Sequence, residues 1–284
     1  MNKKIIWLLI FLIFIVGLGS YLLINQNLVK SFSEKSFEFV EKNISNKVNT
    51  PGPLRKEVDD EGSQLSVKGA IAETNRHRRE AGLPELEENT LLNIAAQKKV
   101  DDMFARQYFE HDAPTGEGAG DLVSGAGYEF IVVGENLALG NYKNDAVLVQ
   151  AWMDSPGHRE NILKSSYTEI GIAVARGTFE GRSTWLAVQH FAKPISDCPG
   201  INESLKAQID SNNVKLDNLK LELESRKSEL ENKPTTREES EEYNRKVDEY
   251  NALVNEYNTL LENTKSLVAS YNSQVQSFNE CAKN

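Results

Sequence analysis

From Tyr243 to Phe278 the seam positions alternate steps of four and three: Tyr243, Val247, Tyr250, Val254, Tyr257, Leu261, Thr264, Val268, Tyr271, Val275, Phe278. That is a heptad pattern, which a helix buries along one stripe. A looser version runs through Leu205, Ile209, Leu216, Leu219, Leu223 and Leu230. Between the two lies "NKPTTREE", with Pro234 to stop a helix and a Thr236-to-Glu239 capping box to start one. The pattern predicts two long antiparallel helices, a helical hairpin or coiled coil, over residues 194–284.

The rhythm upstream is different. "LSVKGAIAETNRHRREAG" places Leu65, Val67, Ile71 and Ala72 on one helical face and stops at Gly82. "ENTLLNIAAQKKVDDMFARQYF" repeats that period, and "NDAVLVQAWMDS" is a third amphipathic helix entered through Asn144 or Asp145. "EIGIAVARG" and "STWLAVQHFA" alternate instead, around "TFEGR", and predict a β-hairpin. Helices followed by a late hairpin make residues 63–193 one α+β domain.

At the N-terminus Ile5 to Ile24, "IIWLLIFLIFIVGLGSYLLI", contains no charge and follows Lys3 and Lys4. It is long enough to span a bilayer, and the lysines hold the N-terminus inside. Residues 1–24 are expected to be a transmembrane signal-anchor, giving a single-pass protein of the cell membrane with its bulk extracytoplasmic. A cleaved signal peptide is the other reading. Residues 25–62, polar and broken by Pro51-Gly-Pro, are expected to be a stalk.

Composition narrows the partners. The formal net charge is -10, and no Lys/Arg cluster offers a phosphate-binding face, so nucleic acid is not an expected partner. The two cysteines, Cys198 and Cys281, flank the predicted hairpin, and an exported location permits a disulfide between them.

Three polar stretches aim ionisable side chains from tight backbone: "YFEHDAPTGEG" with His111, "GYEFIVVGENLALG" with Glu135, and "SPGHREN" with His158. Two imidazoles and a carboxylate can bind a divalent metal or move protons. Each can equally be structural, His158 as a helix-end group and Glu135 as an acceptor of backbone N–H bonds. Alternation puts Gln189 and His190 on opposite faces of the last strand, with His190 toward solvent. His77, among three arginines, reads as surface.

Taken together, "ETNRHRREAGLPEL", "YFEHDAPTG", "GENLALG", "AWMDSPGHRENIL", "YTEIGIAVA" and "WLAVQHF" resemble the bacterial branch of the CAP superfamily. That superfamily is the SCP-like group of cysteine-rich secretory proteins, antigen 5 and pathogenesis-related 1. The match runs over about residues 66–193. The resemblance implies an α-β-α sandwich with a central cleft lined by two histidines and two acidic residues, in some members holding zinc. His111, Glu135 and His158 match three of these, with His111 and His158 as the metal pair. The fourth position holds Ser155, and Glu160 is the nearby acid that could replace it; Gln189 is expected to reach the cleft.

Three functions follow. The first is a surface binding module whose His/Glu cleft takes a metal or a small ligand, with a cell-wall fragment, lipid or peptide as candidate classes. The second is an interaction protein whose helical hairpin pairs with a partner or with itself. The third is a His/Glu-dependent hydrolase; against it, Ser155 lacks a G-x-S-x-G setting.

Overall fold

A computed structural model describes residues 47–56, 59–60, 62–232 and 234–283. The expected transmembrane segment, 1–24, and the stalk up to residue 46 lie outside the described residues. Among those described, no helix is long and apolar enough to cross a membrane.

The chain forms two units, described separately. The first is a mixed sheet between helical layers. Its strands are β1 (Lys47–Asn49), β2 (Leu54–Arg55), β3 (Glu87–Glu88), β4 (Phe130–Leu139), β5 (Glu169–Phe179) and β6 (Arg182–Pro194). The spatial order is β1-β4-β6-β5-β3, with β2 also paired to β4. The antiparallel β4–β6–β5 core is joined by parallel edge pieces, β1 and β2 on β4 and β3 on β5.

The helices are α1 (Val67–Glu80), α2 (Thr90–Arg106), α3 (Ala119–Gly125), α4 (Asp145–Asp154) and α5 (Pro156–Ile162). Polar caps start three of them. Ser66 accepts from the Gly69 N–H, Asn89 from Leu91 and Leu92, and Asn144 from Val147. Ala70, Ile71, Leu148, Val149, Trp152 and Ile162 pack on one face of the sheet, over Ala138, Ile170, Ile172, Ala187 and Phe191. Ala96, Val100 and Met103 of α2 cover the other, over Leu137, Leu139, Ala173, Leu186 and Val188.

The three expected helices and the β5–β6 hairpin are present. The hairpin turns at Glu180 and Gly181, both at positive φ. β4 went unrecognised in the sequence because helices cover both its faces and all ten residues are buried, which erases alternation.

The stalk reading is corrected at its C-terminal end. From Lys47 on, that segment is part of this unit: Lys47–Asn49 pairs with Val132–Gly134, and Leu54–Arg55 with Ala138–Leu139. Each run is too short for a sequence signal, and the prolines between them mimic a linker.

The second unit is the helical hairpin, α6 (Glu203–Glu229) and α7 (Arg237–Lys283). Ile209, Leu216, Leu223 and Leu230 pack against the expected seam of α7, including Val254, Tyr257, Leu261 and Val268. The Asn202 N–H donates to Gln274 while Arg226 pairs with Glu249, which sets the two helices antiparallel. The Thr236–Glu239 capping box is formed in both directions. Both cysteines, Cys198 and Cys281, are disulfide-bonded.

Gly171 of β5 lies flat against α2: a Cβ there would stand 2.2 Å from the Leu92 carbonyl carbon and 2.4 Å from the Asn93 nitrogen. Backbone cannot yield as a side chain can. Gly171→Ala is expected to destabilise the domain by about 3 kcal/mol, read as a lower urea midpoint with the slope unchanged.

Candidate functional site

Glu135 sits midway along β4, with no exposed surface. Its side chain leaves the strand on the α2 side. His111, just beyond α2, brings Nδ1 to 2.6 Å from Oε1, and His190 of β6 brings Nε2 to 2.9 Å from Oε2. Glu135 and His190 are direct cross-strand partners, which is why they meet. Burial pushes the Glu135 carboxyl up, but the hydrogen bonds and charges of the two histidines outweigh it and hold the group at about 2. The carboxylate is therefore ionised, with both oxygens occupied.

Hydrogen-bond geometry fixes the ring forms. His111 Nε2 contacts the Pro51 carbonyl oxygen, and its Nδ1 contacts the carboxylate. Both neighbours are acceptors, so both nitrogens carry hydrogen and the ring is an imidazolium. His190 donates from Nε2, and its buried Nδ1 has no partner among the described residues. Lys99 of α2 is fully buried and supports this side: its ammonium donates to the His111 carbonyl at 2.5 Å and lies over the Tyr108 ring. Burial lowers its pKa while Glu135 acts in the opposite sense.

His158 belongs to the other layer. It is 1% exposed on α5, its Nδ1 is 2.8 Å from Ser155 Oγ, and its Nε2 is buried with no partner among the described residues. Its carbonyl accepts from Asn136, whose side chain leaves β4 opposite Glu135. No hydrogen bond joins His158 to His111 or Glu135. Burial, then the positive charge of His111, lowers it to about 4, so it is neutral.

The two sides are tied by Asn161 of α5, which the sequence reading did not single out. Its amide donates to the carbonyls of Asn49 and Glu135 and to Asn136 Oδ1; its Oδ1 accepts from Asn49 at 2.6 Å. Gly134 makes room for this: a Cβ there would fall 2.8 Å from Asn161 Oδ1.

Of the expected site residues, His111 and Glu135 are bonded, His158 and Ser155 form a separate pair, and Gln189 is buried, bonded to Asn136 and Thr74. Three expectations are corrected. Glu160 is exposed, because two residues along a helix turns it away from the face that buries His158. His190 is not at solvent: both faces of β6 are covered, so alternation chooses between layers rather than between core and water. His77 is 8% exposed, buried on α1, and burial lowers its pKa.

As arranged, the histidines do not fit zinc. His111 spends both nitrogens, and among the described residues no three His, Cys, Asp or Glu side chains are grouped as metal ligands.

Known proteins align with this unit. Residues 71–191 match the CAP model, the cysteine-rich secretory protein family. This segment is a CAP domain of bacterial type. Uncharacterized protein YkwD of Bacillus subtilis is 36% identical over 118 residues, 42% of this chain and 44% of that protein. Uncharacterized membrane protein YlbC of the same organism is 32% identical over 111 residues, 39% of this chain and 32% of that protein. The aligned part thus spans less than half the length of these curated relatives. Among solved structures, an extracellular SCP-domain protein from Bacillus anthracis is 28% identical with a TM-score of 0.39, over 45% of this chain and 40% of that chain.

The lowered His158 predicts acid sensitivity in a defined window. As pH falls from about 6.5 to about 4, the unfolded chain takes up a proton that folded His158 refuses, so stability drops. Glu135 contributes a further loss only from about 4.5 down to about 2. Urea midpoints at pH 7 and 4.5 should differ less in His158→Gln than in the wild type; His77, also lowered, accounts for part of the remaining difference.

Proposed function

We propose that this protein is a membrane-anchored, extracytoplasmic binding module, and that its CAP domain holds a small polar ligand at the edge of β4. The observation that carries this reading is the fully engaged Glu135 carboxylate. A general base needs a free oxygen for the substrate's proton, and here both are spent on His111 and His190. Ser155 and His158 resemble a nucleophile and its base, but His158 Nε2 has no acid to orient it. Fixed, satisfied donors suit recognition better than turnover. Anchoring is inferred from the uncharged Ile5–Ile24 segment.

A second reading assigns partner binding to the helical hairpin. Val214 and Leu221, seven residues apart on α6, are 61% and 64% exposed and form an apolar stripe outside the seam.

The reading is tested on the full chain in detergent, titrated with purified cell-wall fragments and followed by histidine NMR signals. Saturable binding that weakens at least tenfold in His111→Ala and in Glu135→Gln is the expected result. Binding untouched by both substitutions, or steady consumption of the fragments, overturns it. Zinc is expected to leave the melting temperature unchanged. A rise of several degrees that His158→Ala abolishes would restore the metal reading.

A further inference from the structure

The segment Lys47–Lys56 lies along β4 as a bound peptide would. It runs parallel to β4 and pairs at both ends, through Lys47–Asn49 and Leu54–Arg55, with the Lys56 N–H donating to the Leu139 carbonyl at 2.9 Å. Between those ends Thr50-Pro-Gly-Pro forms no ladder pairs and passes opposite Glu135 to Leu137. Pro51 and Pro53 have no N–H to leave unsatisfied there.

Three elements of the site meet this segment. His111 Nε2 holds the Pro51 carbonyl. Asn161 takes Asn49 by both its side chain and its carbonyl, at 2.6 and 3.2 Å. Gly157 seats the Pro51 ring, and a Cβ there would come within 2.7 Å of Pro51 Cβ. Yet the main-chain pairing is short. The ladder has five residues, Val48 is 44% exposed, and the segment lies outside the 71–191 family match. Short edge elements with few buried contacts are those that open first.

We propose that the edge of β4 is a binding site for extended, proline-containing polypeptide, and that Lys47–Lys56 is its built-in occupant, which must leave before an outside peptide enters. This is strand addition to a sheet edge: main-chain pairing at both ends supplies affinity, and the Gly157 seat with the His111 donor selects a proline carbonyl between them. The inference rests on the binding reading above and puts a peptide, one of the ligand classes considered from the sequence, in place of its small polar ligand.

The test uses the full chain in detergent and a fluorescein-labelled peptide with the sequence of Lys47–Lys56. In one variant Val48–Arg55 is replaced by Gly/Ser of equal length. The peptide is expected to bind this variant at least tenfold more tightly than the wild type. Adding His111→Ala to the variant, or Pro51→Ala to the peptide, should cost about tenfold again. No binding to a variant whose circular dichroism and tryptophan fluorescence match the wild type, or equal binding to both proteins, overturns the proposal. If the variant does not fold, hydrogen exchange in the wild type decides: amides of residues 48, 49, 54 and 55 should exchange at least 100-fold faster than those of Gln189 and His190. Equal protection would make the segment a permanent strand and end the proposal. Cell-wall fragments that bind through His111 where the peptide does not would leave the binding reading standing and remove only this one.

Discussion

Glu135 carries a full negative charge at a point of the sheet with no access to water. Taking a carboxylate out of water costs several kcal/mol unless donors replace the lost hydration. Here the rings of His111 and His190 supply them, from two different parts of the chain, and neither can move without stranding the charge. Much of the local architecture serves this pairing. β4 and β6 must be in the register that sets Glu135 across from His190, and the chain after α2 must return His111 to the strand. Lys99 fixes that return by holding the His111 carbonyl from within the α2 layer.

The opposite face of β4 is built on the same principle with neutral groups. Asn136, Gln189 and Thr74 form a buried chain of amide and hydroxyl bonds, and Asn161 closes it against the strand carbonyls. Gly134 and Asn136 leave one face while Glu135 leaves the other, so "GEN" is a compact instruction for both layers: space, charge, amide. A polar network in a core is stable only if complete. Among the described residues, the unpartnered nitrogens of His158 and His190 are gaps beside that network.

The sequence made periodic elements legible and covered ones obscure. The α7 seam, from Tyr250 to Phe278, could be read residue by residue because one stripe is buried and the rest is wet. β4 could not, since burial on both faces leaves no contrast to read. The same loss misplaced His190, for which alternation was a sound rule applied to a strand without a solvent face. His111 and Glu135 were found through motif resemblance, as residues 24 apart carry no periodic link. His158, expected to share a cleft with His111 and Glu135, lies across the strand from the acid. Nothing local marked Asn49 or Pro51, whose role exists only through pairing with a strand more than 80 residues on.

An exposed strand edge invites other strands, and proteins cover such edges. β4, like β5 beside β3, is a long strand whose outer side is met by short pieces rather than by another long strand. Its cover is broken opposite the charge. Through the Pro51 carbonyl, the polar centre holds its cover by the Nε2 side of His111. The carboxylate orients that ring through Nδ1, and the ring in turn presents Nε2–H to whatever backbone lies above it. Edge pairing and the buried ion pair are thus one device: the same charge that the interior must neutralise also orients the hydrogen bond by which a polypeptide is held at the rim.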